Sequence, residues 1–94
     1  MALLKPCSTS AGFTSTPEPP QRIDMARLKR DLVGDGYTVV VDAAIILIVR
    51  KSVESSLYDN GKVLLKTTDR AAAEQAFAEL EPHLAAANRG RFSN

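Results

Sequence analysis

The tripeptide Asp59-Asn60-Gly61 limits what this chain can fold into more than any other segment. An Asn-Gly pair accepts the positive φ angles of a tight β-turn, and short alternating runs on either side turn it into a hairpin. Before it, Val53 and Leu57 fall on one face of a strand, with Glu54, Ser56 and Tyr58 on the other. After it, Val63 and Leu65 share one face while Lys62, Leu64 and Lys66 share the other. Thr68 or Asp69 then offers a side-chain oxygen to cap a helix in which Ala73, Ala76, Phe77, Leu80 and Leu84 recur at helical spacing. Pro82 lacks an N–H and is expected to kink or end that helix near Glu81, the alternative being one more turn over Pro82 to Ala87.

The residues upstream extend the same logic. Asp24 is a candidate cap for a first helix whose Met25, Leu28 and Leu32 form an apolar stripe, and Gly34-Asp35-Gly36 stops it. Tyr37-Thr38-Val39-Val40-Val41 has the β-branched and aromatic composition of a strand. Ala44-Ile45-Ile46-Leu47-Ile48-Val49 is apolar on both faces, as a central strand is, and Arg50-Lys51-Ser52 reads as a turn or bulge. The resulting order is α-β-β-β-β-α. The expected fold is therefore an α+β, two-layer domain with a four-stranded antiparallel meander sheet and both helices on one face. Two helices cover one face of such a sheet, so Ser56, Tyr58, Leu64, Lys66 and half of the Ile46/Ile48 run are left on the other.

Size and composition matter at this point. The chain has 94 residues and a net charge of +1, with 45% apolar and 24% charged residues. A domain this small buries only roughly 60% of its unfolded surface, so burial against a second copy is the natural supplement. Residues 1–21, rich in Ser and Thr and ending in Pro17-Glu18-Pro19-Pro20, are expected to be a disordered or loosely packed arm. Phe13 is its only large anchor. Residues 22–87 form the domain, and residues 88–94, with Arg89 and Arg91, a flexible basic tail. One cysteine, Cys7, excludes an internal disulfide and any multi-cysteine zinc site. His83 has no metal-ligand partners at a telling spacing and reads as a helix-end residue. No apolar run approaches the ~18–20 residues of a membrane span. With no secretory signal pattern the expected location is cytoplasmic, although the acid-poor residues 1–16 also suit an organellar transit peptide.

The sequence contains no catalytic constellation. Gly34-x-Gly36 follows a helix, the wrong context for a phosphate loop, and Asp42, Asp59 and Asp69 come from three separate turns. Neither an enzymatic activity nor a cofactor, metal or small-molecule substrate is implied. The basic residues are more informative. Arg50 and Lys51 at a strand end, with Lys62 and Lys66 beside the hairpin, form a discontinuous patch suited to phosphates. Tyr58 adds a stacking platform among them. Lysines on a hairpin also serve simply to keep a sheet edge soluble.

The hairpin segment Ser56-Leu57-Tyr58-Asp59-Asn60-Gly61-Lys62-Val63-Leu64, with its aromatic-x-x-Gly-Lys-hydrophobic core, resembles one half-repeat of the TATA-box-binding-protein family. The similarity extends over residues 24–86, including the central strand ending in Arg50-Lys51. In that family a concave sheet face meets the DNA minor groove and aromatic wedges enter between base steps. The resemblance places Tyr58 at a wedge position, where the family has phenylalanine, and Ser56, Leu64 and Lys66 at groove-facing positions. A full saddle has two repeats in one chain, so the single repeat here implies a homodimer. Two functions follow. The first is a small nucleic-acid-binding module for DNA or RNA, with Tyr58 stacking, Leu64 contacting sugars or base edges, and Lys62, Lys66, Arg50 and Lys51 holding phosphates. The second is a protein-interaction or oligomerisation module whose interface centres on Ile46, Ile48, Tyr58 and Leu64. The near-neutral net charge favours the second, the resemblance the first.

Overall fold

The computed structural model describes residues 5–6 and 12–91. In chain order its elements are β1 (Lys5–Pro6), β2 (Phe13–Ser15), β3 (Gln21–Ile23), α1 (Met25–Gly34), β4 (Thr38–Asp42), β5 (Ile46–Arg50), β6 (Glu54–Tyr58), β7 (Val63–Lys66), α2 (Arg70–Ala87) and β8 (Asn88–Arg91). The molecule is α+β, as expected. The sheet, however, has six strands rather than four, in the order β1-β2-β7-β6-β5-β4, and β3 and β8 form a separate two-stranded ribbon. All pairings are antiparallel.

The additional strands come from the arm and the tail. Phe13 pairs with Leu65, Thr14 with Leu64 and Ser15 with Val63, which places a strand on the outer edge of β7. Phe13 is 8% exposed and Ser15 4%, so the arm is packed here and not solvated. The cause is local. Phe13-Thr14-Ser15 alternates inward, outward, inward, and it gives β7 the backbone partner an edge strand lacks. Close approach needs Gly12, where a Cβ would lie 2.9 Å from the Leu65 carbonyl oxygen. Gln21 likewise pairs with Arg91 and Ile23 with Asn88, so the tail is a strand through Arg91. Cys7 lies outside the described residues.

Both helix starts follow the expected caps. Asp24 accepts a hydrogen bond from the Arg27 amide at 3.1 Å and Asp69 one from the Ala71 amide at 3.0 Å. α1 stops where Gly36 adopts φ +93° and the Gly36 and Tyr37 amides bond back to Val33 and Leu32. α2 runs to Ala87 with Pro82 inside it. The packing of Leu80, Leu84 and Ala87 into the core outweighs the hydrogen bond that proline cannot make. In the β6–β7 hairpin only Gly61 takes a positive φ, +92°, and its amide bonds to the Tyr58 carbonyl at 2.9 Å. The connection is thus a three-residue loop, Asp59-Asn60-Gly61, rather than a two-residue turn on Asn-Gly.

One core joins the layers. Leu47, Val49, Leu57, Val63 and Leu65 from the sheet cluster with Leu28 and Leu32 of α1 and with Phe77, Leu80 and Leu84 of α2. Alternate strand residues point to the opposite face.

Candidate interaction face

The pairing register sorts the opposite-face residues into three cross-strand rows. Ile46 faces Tyr58 at one end. In the middle, Val41, Ile48, Ser56, Leu64 and Thr14 follow one another across five strands. At the other end, Thr38, Arg50, Glu54 and Lys66 line up in the same way. The result is an apolar band bounded on one side by a charged row.

Burial refines the picture. Ile46, Ile48, Leu64, Tyr58 and Thr14 are half-buried by their neighbours, and Val41 at the sheet margin is exposed. Ser56, expected to face a ligand, is only 3% exposed because the side chains around it close over its small hydroxymethyl group. It supports the floor of the band and is not a contact residue.

The cations divide. Glu54 takes both charged neighbours in its row, with Arg50 Nη1 at 3.9 Å and Lys66 Nζ at 3.3 Å. Exposed pairs of this kind contribute only a few tenths of a kcal/mol to stability, but they reduce the charge offered to a phosphate. Lys62 Nζ stands 5.5 Å from the centroid of the Tyr58 ring, a cation–π contact on the face itself. Lys51 leaves the group altogether. Its ammonium lies 3.9 Å from Asp35 Oδ2 and 4.8 Å from the Tyr37 ring centroid, beside the α1–β4 turn. The structure therefore brings Tyr58, Lys62, Leu64, Lys66, Arg50, Ile46 and Ile48 to one face and sends Lys51 elsewhere.

The turn that holds Lys51 is a small charged junction. His83 Nε2 donates to Asp35 Oδ2 at 3.1 Å, and the His83 and Tyr37 rings meet edge to face at 6.3 Å. The hydrogen bond from His83, reinforced by Lys51, holds the Asp35 carboxyl below the usual carboxylate value. Burial pushes the Tyr37 phenol up, with Glu79 and Asp35 adding to the effect. This links α2 to the α1–β4 turn and gives His83, expected to be a plain helix-end residue, a bracing role.

Two members of the face, Val41 and Thr14, were not singled out from the sequence, whereas alternation already puts Glu54 beside Ser56 and Tyr58. The signal for Val41 and Thr14 is the register itself: a β-bulge in β4 and the unforeseen β2 pairing determine which of their neighbours they meet. Among the described residues, no group of three or more His, Cys, Asp or Glu is placed to hold a metal ion. No described helix is long and apolar enough to cross a membrane. Comparison with protein-family models, with curated proteins and with solved structures finds no match to this chain.

Proposed function

We propose that this protein is a non-enzymatic interaction module that self-associates as a homodimer through the band of Ile46, Ile48, Leu64, Tyr58 and Val41. The observation that carries this reading is the pairing of Arg50 and Lys66 with Glu54 beside an apolar row running from Val41 to Thr14. With Arg50 and Lys66 sharing the one Glu54 carboxylate, the apolar row is the larger feature of this face and suits a protein surface better than a phosphate backbone.

Size sets the expected strength. Five strands about 4.8 Å apart and about five residues long cover roughly 400 Å² in projection. That is below the ~800 Å² per partner of a standard interface, so a weak, concentration-dependent dimer is expected. Sedimentation velocity over a concentration series tests it. Tyr58→Glu places a charge in the band and should leave a monomer at every concentration. A wild-type chain that is monomeric throughout the series ends this reading.

Nucleic-acid binding is the second reading, favoured by Lys62 over the Tyr58 ring. This pair would stack and neutralise one nucleotide of a single strand, with Leu64 against the sugar and Lys66 and Arg50 further out. Fluorescence anisotropy with mixed-sequence single-stranded DNA, duplex DNA and RNA separates the two. Binding that weakens steeply with salt and is reduced by Lys62→Ala with Lys66→Ala supports nucleic acid. Absence of binding at low salt removes it and leaves self-association standing.

A further inference from the structure

The large hydrophobic side chains that stay exposed among the described residues are Val33, Val40, Val41 and Ile45. All four lie at the β4 end of the molecule. Beside them a groove of about 790 Å³ opens between α1 and the turn joining β4 to β5. Its floor is Met25, Ala43, Ala44 and Leu47, and Val33, half exposed, forms one wall. Ala26, Lys29 and Val33 lie on a side of α1 adjoining the one that buries Leu28 and Leu32, and Met25, which packs against the core, lies between the two. α1 therefore presents a second stripe, which no described residue covers.

We infer that this groove docks an amphipathic helix of a protein partner, with an apolar stripe flanked by Asp or Glu. Charge chooses the occupant. Lys29 and Arg30 form the lip. Asp42, which also lines the groove, holds Lys29 at 2.6 Å. The Arg30 side chain, 74% exposed, lies 4.0 Å from Asp31, its neighbour in sequence. The lining of Lys29, Arg30 and Asp42 thus keeps a net positive charge, carried by an exposed guanidinium. A second copy is a poor fit, because antiparallel packing of two α1 helices about their midpoints sets Lys29 and Arg30 against themselves. The chain's own remaining segments, residues 1–4, 7–11 and 92–94, contain no Asp or Glu. Strand addition at β4 is opposed by the register shift between Val39 and Val41, which makes Val40 an extra residue and bends the edge. A helix meets none of these objections. The stripe from Met25 to Val33 is about 12 Å long and accommodates two to three helical turns. This surface is separate from the sheet face, so the two readings stand or fall independently.

The test is an NMR amide titration of the full chain with two synthetic helical peptides that share a leucine stripe. One flanks the stripe with glutamates, the other with lysines. The glutamate peptide is expected to shift the amides of Ala26, Lys29, Val33, Ala43 and Ala44 while leaving those of Tyr58 and Leu64 in place. Arg30→Glu, on a side chain too exposed to affect folding, should weaken that peptide roughly five- to tenfold and strengthen its lysine twin. Equal binding of the two peptides, shifts centred on Tyr58, or no shifts at millimolar peptide would each overturn the proposal. Concentration-dependent shifts at the groove without peptide would also overturn it, by giving the groove to a second copy.

Discussion

The two margins of the sheet deal with the same physical problem in different ways. β7 would be an edge strand, and the arm seals it: Phe13 goes into the core, Thr14 and Ser15 continue the pairing, and Arg70 lies over the Phe13 ring at 5.0 Å. Among the described residues β4 ends the sheet and carries no outer strand. It relies instead on an extra residue at Val40 and on the Lys29–Asp42 pair at its end. One margin is protected by burial, the other by irregularity and charge. The first arrangement ties the margin to stability. The second leaves exposed apolar side chains, beside the groove proposed to dock a partner helix.

If that contrast is right, substitutions on the two sides should differ sharply. The largest effect is expected at Phe13: Phe13→Ala empties a core position and should cost roughly 3 kcal/mol. Val40→Ala on the opposite margin should stay within about 0.5 kcal/mol. Urea unfolding of both variants decides the matter, and equal losses would break the comparison. Next comes Gly61→Ala. Its positive φ costs roughly 1–2 kcal/mol in any non-glycine residue. A Cβ there also meets Gln21 Oε1 at 2.8 Å and Pro17 Cγ at 2.9 Å. Gly36→Ala shares the positive φ, but a Cβ there meets only Lys51 Cε at 4.0 Å. Thermal unfolding should rank Gly61→Ala clearly below Gly36→Ala, because only the first pushes against the arm.

The smallest effect should be at the junction beside β4. Asp35 is held below its ordinary value of 3.8 by the hydrogen bond from His83 and by Lys51. Its stabilising contribution is thus present above that value and lost as the pH falls through the depressed one. Asp35→Asn should lower stability slightly at neutral pH and converge with the wild type at the acid end, where Asp35 is protonated, so that the acid limb below about pH 4 is flatter. Thermal melts across pH 2–7 would show it. A parallel shift at every pH would mean that Asp35 acts by packing and not by charge.

The elements that were legible in the sequence are the ones whose signal is local. Asp24 and Asp69 cap because a carboxylate oxygen reaches an amide two or three residues away. Gly36 ends α1 through its own backbone, and the Ile46–Arg50 strand is apolar on both faces within five residues. What escaped was long-range. Phe13-Thr14-Ser15 is too short to announce a strand, and only the unpaired edge of β7 makes it one. The same holds for the site. Tyr58, Leu64, Ile46 and Ile48 could be placed on a shared face from alternation alone. That Arg50 and Lys66 share Glu54 depends on cross-strand register. That Lys51 departs to Asp35 depends on how α1 meets the sheet. At Pro82 the choice left open, an end near Glu81 or a further turn to Ala87, is decided by tertiary packing, about which a proline's local penalty says nothing.

The hairpin loop also bears on the order in which the protein is made. The Gln21 and Ile23 amides bond to the carbonyls of Asn60 and Asp59, and the Asp24 amide bonds to that of Ala87. Phe13 must wait for Leu65, and Gln21 for Arg91. Residues 13–23, made before their partners, are thus among the last to find their places, because closing long loops is entropically deferred until the middle of the chain has formed. Until then β7 has a vacant edge, and in a crowded polysome the arm that fills it need not belong to the same molecule. Exchange of arms between nascent copies is the assembly hazard that this topology creates, and dilution during refolding is the remedy.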